Sequence, residues 1–276
     1  MGGIKKIYGI IGHPVNKSLI PAMHKAAIKH EKIDAEFKLF DIDPSDPENL
    51  ANFCYETDLN NIAGFSVISP YKESIMAYME DYDPLAKKIG YVDTVINEDS
   101  KLAGYNTNIT GMIAALTEKT KISGKKILIL GSENSARGIA YSLKEYGADI
   151  FIFDREIENS KNLAKEFDVN IIDYRMIPAE KFDIIINTTN IGEFPNINES
   201  LLNAKQMHKD LIIMDTIINP IETEFIKSGK EAGAITISGE RSLLHQVAGQ
   251  FEIWHGKKSP FDIIEKILYN EIVKNK

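Results

Sequence analysis

Apolar residues along this chain fall into two alternating rhythms. Short β-branched runs such as KIYGIIG (6–12), AEFKLFDI (35–42) and residues 62–68 read as strands, the second by its period-two alternation. Between them lie stretches with helical spacing. Residues 18–31 place Met23, Ala26, Ala27 and His30 at helical intervals, and 47–58, 72–79 and 83–89 follow. Strand then helix, repeated, predicts a mostly parallel sheet covered by helices.

The pattern breaks near residues 107–124, where a helical stretch at 110–119 runs into the turn ISGKK (122–126). It then restarts. KILILG (126–131) predicts a strand ending in glycine, residues 135–147 a helix closed by Gly147, and DIFIFD (149–154) a second strand. A helix at 158–167, a strand at 169–172, FDIIINTT (182–189), LIIMDTI (211–217), a helix at 221–232 and AITISG (234–239) complete a doubly wound nucleotide-binding pattern. The last stretch, SLLHQVAGQFEIW and FDIIEKILYNEIV, is helical and is expected to return to the first half. The expected fold class is α/β and two-lobed. An N-terminal α/β substrate domain covers 1–108, with helices 243–276 packed back on it, and a Rossmann-type doubly wound domain covers 109–242.

Composition narrows the function classes. At ~150 residues per domain, 276 residues make about two domains. With 43% hydrophobic and 26% charged residues the chain is an ordinary globular one, and no apolar run nears the ~18 residues of a membrane span. The N-terminus lacks a signal peptide's apolar core, and Gly2 has no Ser or Thr at position 6 to complete an acylation pattern. Lysine and arginine total 32 against 40 acids, a net charge of −8, which argues against nucleic-acid and membrane partners. The single cysteine, Cys54, cannot form an intrachain disulfide, which fits a reducing cytoplasmic location, and it reads as a small core side chain. His13, His24 and His30 lack metal-ligand spacing, so no metal is expected.

The strongest local motif is Gly131-Ser132-Glu133-Asn134-Ser135-Ala136, where a strand opens a helix. Such a helix start offers free amides and partial positive charge to a pyrophosphate. Against the G-x-G-x-x-G/A fingerprint only Gly131 and Ala136 fit, and Glu133 puts a Cβ and a negative charge where the second glycine belongs. A dinucleotide turn and a plain βαβ turn both remain open on this motif alone. Arg137, four residues on, is placed to fold onto Glu133. Asp154 stands 23 residues after Gly131, near the ~20-residue spacing of the acid that bonds a ribose hydroxyl, so NAD is one reading. Arg155 is the rival signal for the 2′-phosphate of NADP, although Asp154 and Glu156 flank it with negative charge.

GHPVNKSLIPAMH (12–24), GFSVISPYKE (64–73), DPLAKKIGYVDTV (83–95) and GYNTNITG (104–111) occur in that order. NTTNIG (187–192), NPIET (219–223) and GERSLLHQVAGQFEIWHG (239–256) follow in the second half. Together they resemble the shikimate dehydrogenase family over nearly the whole chain. The resemblance implies substrate on the first lobe, NADP on the second, and oxidation of a ring hydroxyl by hydride transfer. The family's N-V-T-x-P-x-K lysine falls on Lys72 and its late glutamine on Gln246. The first hydroxyl of its S-x-S carboxylate clamp falls on Ser18. Thr188 of NTTNIG and Gly239 of GERSLL fall at cofactor positions, with Gly131 to Ser135 against the pyrophosphate.

Other positions depart from the pattern. The clamp's second serine falls on Ile20, the threonine of N-V-T on Ile68 and its asparagine on Ser66, and the tyrosine before N-P-L-E-T on Ile218. The A-V-N-T asparagine falls on Asp93 and the G-Y-N-T-D-G aspartate on Asn108. Each lost hydroxyl removes a hydrogen bond worth ~0.5–1.5 kcal/mol, so three losses weaken shikimate binding by roughly one to three powers of ten. Alcohol oxidation needs a group to take the proton, and Lys72 alone is a poor base at its ordinary pKa of ~10.4. Asp93 and Asn108 have exchanged acid and amide, so Asp93 is expected to pair with Lys72, the chief proton-handling residue, with Asp93 or Asn108 orienting it. Ser18 and Gln246 would hold the ligand.

The expected function is therefore NAD(P)-dependent interconversion of 3-dehydroshikimate and shikimate, or of a related ring hydroxy acid, by a monomer or homodimer. The rivals are a same-fold dehydrogenase for a less polar substrate, favoured by the three isoleucines, and a non-catalytic ligand-binding paralogue, favoured by Glu133 and Asn108.

Overall fold

The structure, a computed structural model, describes residues 5–274. Gly2, where the acylation pattern fails, lies outside the described residues, as do residues 275–276 of the C-terminal stretch. Two compact units divide the chain: Met1–Thr110 with Leu244–Lys276, and Gly111–Leu243.

The chain begins with β1 (Lys6–Gly12), α1 (Ile20–His30), β2 (Ala35–Asp41), α2 (Glu48–Tyr55) and β3 (Ile62–Val67). β4 (Asp81–Tyr82), α3 (Pro84–Ile89), β5 (Thr94–Glu98), β6 (Lys101–Tyr105) and α4 (Thr107–Thr117) follow. Next come β7 (Lys126–Leu130), α5 (Asn134–Glu145), β8 (Asp149–Phe153), α6 (Ile157–Phe167) and β9 (Asn170–Ile171). β10 (Ile184–Asn187), β11 (Ile212–Asp215), α7 (Glu224–Glu231), β12 (Ile235–Ile237), α8 (Gly239–His255) and α9 (Phe261–Lys274) complete the order.

The first unit's sheet runs β2-β1-β3-β5-β6-β4. Strand β1 bonds to parallel neighbours on both sides and is buried from Tyr8 to Gly12. Strand β2, at the edge, buries Ala35 and Phe37 and turns Glu36 between them outward, the alternation of a half-covered strand. The sheet is mostly parallel, as expected, with β5 the strand that runs against the others, antiparallel to both β3 and β6. The β5–β6 hairpin was not among the expected strands. Its two-residue turn, Asp99-Ser100, has φ of 51° and 64°. Such turns are normally signalled by Asn-Gly or Asp-Gly, so serine in the glycine position conceals it. The helix expected at 72–79 is only a 3₁₀ turn at Ser74–Tyr78, where Ile75 alone is buried and a longer helix would have no apolar face to cover.

Helix α1 buries Met23, His24, Ala27 and Ile28, leaving His30 exposed. The returning helices close this unit. Trp254 of α8 donates Nε1–H to the Val95 carbonyl at 2.9 Å, and its own carbonyl accepts from the Tyr8 hydroxyl at 3.2 Å. Beneath the sheet's other side chains, Phe65, Val67, Ile75 and Val95 are wholly buried. Full burial of such a side chain contributes ~1.5–3 kcal/mol.

In the second unit all strands are parallel, in the order β12-β11-β10-β7-β8-β9. From β7 the chain builds outward through β8 and β9, then returns to the far side of β7 to lay down β10. The connections therefore diverge at the carboxyl ends of β7 and β10, where Leu130 pairs with Asn187. A doubly wound sheet leaves a crevice at such a point.

Candidate active site

Asp93 immediately precedes β5 and is fully buried. Its Oδ1 accepts from the backbone amide of Thr107 at 2.9 Å, the Thr107 hydroxyl at 2.6 Å and the Thr94 hydroxyl at 2.7 Å. Oδ2 accepts from the backbone amide of Asn108 at 2.7 Å. Thr107 and Asn108 open α4, so a carboxylate from a distant strand satisfies the orphan amides of that helix and faces its positive end. The Asn108 side chain then donates Nδ2–H to Gln246 Oε1 at 3.3 Å.

Lys72 is tied to the same place through its backbone, since its carbonyl accepts from the Val92 amide at 2.8 Å. Its ammonium lies over the Tyr91 ring, 5.8 Å from the centroid. Burial pushes the Lys72 pKa below its ordinary value, and the negative charge of Asp93 opposes that fall. The expected ion pair is not formed: among the described residues Lys72 Nζ has no carboxylate oxygen within 4.0 Å. The reason is visible in the Asp93 contacts, which turn both oxygens toward the α4 amides and the threonine hydroxyls. Asp93, Asn108 and Gln246 thus form one hydrogen-bonded run, with Lys72 coupled to it through space.

The remaining first-unit candidates are less open. Ser18 Oγ accepts the backbone amide of Ile20 at 3.3 Å, a local turn contact. Ile20 is 4% exposed and belongs to the core. Half-buried Ile68 covers Gly12 so closely that a Cβ there would collide with its Cγ1. His24 is stacked on Phe37, and burial lowers its pKa to about 3. His245 stands 5.0 Å from the Phe261 ring. The Cys54 thiol is pushed up to about 12 by burial, far from thiolate reactivity.

In the second unit a pocket of about 180 Å³ sits at the strand ends. Gly131, Ser132 and Glu133 line it, together with Asp154 and Arg155 after β8 and Thr188 to Ile191 after β10. Gly131 has φ of 107°, and a Cβ there would lie 2.7 Å from Thr188 Oγ1 and 3.0 Å from Thr189 Cγ2. Only glycine lets the chain turn there and leave room over the start of α5. Asn134 and Ser135 form the first turn of α5, with Glu133 as its N-cap residue and no capping bond from the Glu133 side chain.

Arg137 does not fold onto Glu133. Its guanidinium grips Glu166 of α6 with two bonds, 2.7 and 3.2 Å, because a bidentate carboxylate outcompetes an i,i+4 contact. Asp154 is held inside its own loop: Oδ2 accepts from Ser132 Oγ at 2.5 Å and Oδ1 from the Glu156 amide at 2.9 Å. Arg155 is exposed and makes no ion pair among the described residues. Thr188 donates its hydroxyl to the Leu130 carbonyl at 2.7 Å. Gly239 opens α8 where a Cβ would strike the Ile217 carbonyl, and Ile218 is half-buried after β11.

Residues not singled out as candidates support the pocket, although Asn187 and Thr189 stand in NTTNIG and Thr223 in NPIET. Asn187 Oδ1 accepts from the amide and hydroxyl of Thr189 at 3.1 and 2.7 Å, while its Nδ2 donates to Asp215 at 3.1 Å. Thr223 donates its hydroxyl to the same acid at 2.6 Å. Burial pushes the Asp215 carboxyl up to about 6, against the pull of these donors. In the first unit Thr94, Thr107 and Gln250 were likewise not singled out: Thr107 reaches Asp93 across 14 residues, and Gln250 reaches Thr94 across 156. Among the described residues no group of three or more His, Cys, Asp or Glu is placed to hold a metal, and no helix is long and apolar enough to cross a membrane.

Comparison with known proteins places this geometry. A family model described as the shikimate dehydrogenase substrate binding domain matches residues 10–95, and one described as shikimate / quinate 5-dehydrogenase matches residues 114–236. The NADP(+) shikimate dehydrogenase of Methanobrevibacter smithii is 37% identical over 97% of this chain and 98% of its own. That of Methanococcus maripaludis is 39% identical, also over 97% and 98%. A crystal structure of a shikimate dehydrogenase in complex with NADP+ superposes with a TM-score of 0.90 at 35% identity, covering 97% of this chain and 96% of that one. A 5-ketofructose reductase from Gluconobacter gives 0.87 at 27% identity over 98% and 100%.

Proposed function

The chain belongs to the shikimate dehydrogenase family, and from that premise we propose that it interconverts the ring alcohol and ring ketone of a small hydroxy acid, shikimate and 3-dehydroshikimate or a near relative, with NADP as the preferred hydride carrier. The observation that carries this reading is the run Asp93–Asn108–Gln246 beside the desolvated ammonium of Lys72.

Lys72 handles the proton. Desolvation favours its neutral amine, and a neutral amine accepts the hydroxyl proton as the alcohol is oxidised. Asp93 restrains that tendency electrostatically while it holds the start of α4 in place. Asn108 spends one side-chain donor on Gln246 Oε1, which leaves the Gln246 Nε2 group to donate to a ligand.

The second unit fits a dinucleotide. The Gly131 turn keeps space over the amides of α5, and Arg155 offers a guanidinium to a 2′-phosphate while Asp154 is engaged by Ser132 and Glu156. That balance favours NADP over NAD. When bound, the nicotinamide supplies the hydride acceptor or donor. Glu133 sets a negative charge against the pyrophosphate.

A second reading has its own support. Ile20 is buried in the core and Ile68 closes over Gly12, so neither position offers the hydroxyl that the family pattern sets there for a polyhydroxylated carboxylate. A less polar ring alcohol is favoured to that extent. Steady-state assays of shikimate, quinate and uncharged cyclic polyols with NADP and with NAD test both readings. NADP-linked turnover of shikimate supports the first, and turnover of only the uncharged alcohols the second. Absence of dinucleotide binding by calorimetry at millimolar concentration refutes both and leaves a binding protein.

A further inference from the structure

Asp93 is the end of a longer buried chain of hydrogen bonds. Gln250 of α8, wholly buried, places Nε2 at 2.6 Å from Ser66 Oγ and 3.1 Å from Thr94 Oγ1. Its Oε1 meets His24 Nε2 at 3.0 Å. The direction of every proton follows from one end. A carboxylate only accepts, so the hydroxyl protons of Thr94 and Thr107, which also touch each other at 2.6 Å, are used toward Asp93. Thr94 Oγ1 must therefore accept from Gln250, which puts the amide nitrogen on that side and the amide oxygen toward His24. His24 in turn donates from Nε2. Its Nδ1 is then bare, in agreement with that atom's being buried without a hydrogen-bond partner.

The family motif carries an asparagine where this chain has Ser66. We propose that Gln250 is a positioning residue for the reaction, supplying from α8 the amide that the motif carries on β3 and, through Thr94, fixing the Asp93 carboxylate at the start of α4. Gln250 touches no reacting atom. It acts through Asp93 on Asn108, whose amide and side chain follow from that anchor, and on the field felt by Lys72. The charged and titratable groups around the anchor are Lys72, Asp83 and, at the other end of the chain of bonds, His24. The inference rests on the oxidoreductase reading for its kinetic consequence, while the direction of the hydrogen bonds stands without it.

Two measurements on the full chain test it. In the first, ¹⁵N spectra of the imidazole report the His24 tautomer. Wild type is expected to show Nε2–H only, and Gln250→Met to lose that signature; a wild-type Nδ1–H tautomer overturns the proposal whether or not the protein turns over. In the second, kcat and KM are followed against pH. Gln250→Met is expected to lower kcat about tenfold, with KM moving less than kcat. The limb of the profile belonging to Lys72 is expected to move to lower pH. The double variant Ser66→Asn/Gln250→Ala, which returns the amide to the strand, is expected to recover most of that loss relative to Gln250→Ala. Should Gln250→Met fail to fold, Thr94→Val is expected to fall about tenfold below Thr94→Ser, which keeps the relay hydroxyl. Folded Gln250 variants with wild-type kcat and pH profile, or equal rates for the two Thr94 variants, refute the role. A wild type inactive with every substrate counts against the proposed function, and the spectra still decide the hydrogen-bond direction.

Discussion

The backbone amide of Asn108 donates to Oδ2 of Asp93 at 2.7 Å. That backbone bond makes the two positions that depart from the family pattern neighbours in one unit, joining the residue before β5 to the first turn of α4, while the Asn108 side chain itself donates to Gln246 Oε1.

That unit predicts coupling. Asp93→Asn points an amide donor at backbone donors and is expected to cost about 2–4 kcal/mol of stability along with most turnover. Asn108→Asp sets a second carboxylate beside Asp93 and is expected to lose activity as well. The double exchange should outperform either single change, with an interaction energy above about 1 kcal/mol in unfolding and rate cycles. Strict additivity would defeat the claim that the two positions act together.

Glu133 faces the pocket at the start of α5 with no ion pair among the described residues, because Arg137 is committed to Glu166. Replacing it by glycine removes a negative charge from the place where phosphates are expected. Glu133→Gly is predicted to tighten dinucleotide binding about five- to tenfold, the equivalent of ~1 kcal/mol of repulsion. Calorimetric titration measures it, and an unchanged or weaker affinity counts against the repulsion.

Arg155 is exposed beside the same pocket. A charge-assisted bond to a 2′-phosphate is worth ~1.5–3 kcal/mol, so Arg155→Ala should weaken NADP about ten- to a hundredfold and leave NAD nearly unaffected. Parallel loss of both cofactors would assign the guanidinium some other role.

His24 makes stability pH-dependent. Its pKa falls from the ordinary 6.5 to about 3, first through burial, with the Gln250 hydrogen bond opposing and His255 adding a little. The unfolded chain takes up a proton below pH 6.5 that the folded chain refuses. The contribution is thus complete above that value and is lost as pH drops toward 3. At about 1.4 kcal/mol per pH unit, His24 alone should remove about 2 kcal/mol between neutrality and pH 5. Urea midpoints at both pH values measure this. His24→Asn should show a smaller difference between the two conditions, and an undiminished difference would place the acid sensitivity elsewhere.

Much of this was written in local order. The second unit's strands and helices could be read almost element by element, since a parallel doubly wound sheet is built from continuous buried runs and short turns whose signals lie next to each other. Gly131, Asp154 and Arg155 were legible for the same reason: they sit at the ends of those runs. Lys72, Asp93, Asn108 and Gln246 came from motifs that match a known family, and three of them do meet in the first unit.

What composition and periodicity could not disclose was the direction of contacts between segments far apart in sequence. The hairpin over 94–105 was hidden because Asp99 and Ser100 adopt positive φ without a glycine to announce it. Asp93 was expected to face Lys72, yet it serves the amides of α4, since a buried carboxylate is best satisfied where several donors converge. Gln250 carried no signal at all, being one polar residue on a helix until folding set it against Ser66 and Thr94, 184 and 156 residues away. Local order chose the elements, because propensity and burial act over a few residues. Tertiary structure chose the distant partners of the buried polar groups at the site, because only the folded chain brings such donors and acceptors within reach.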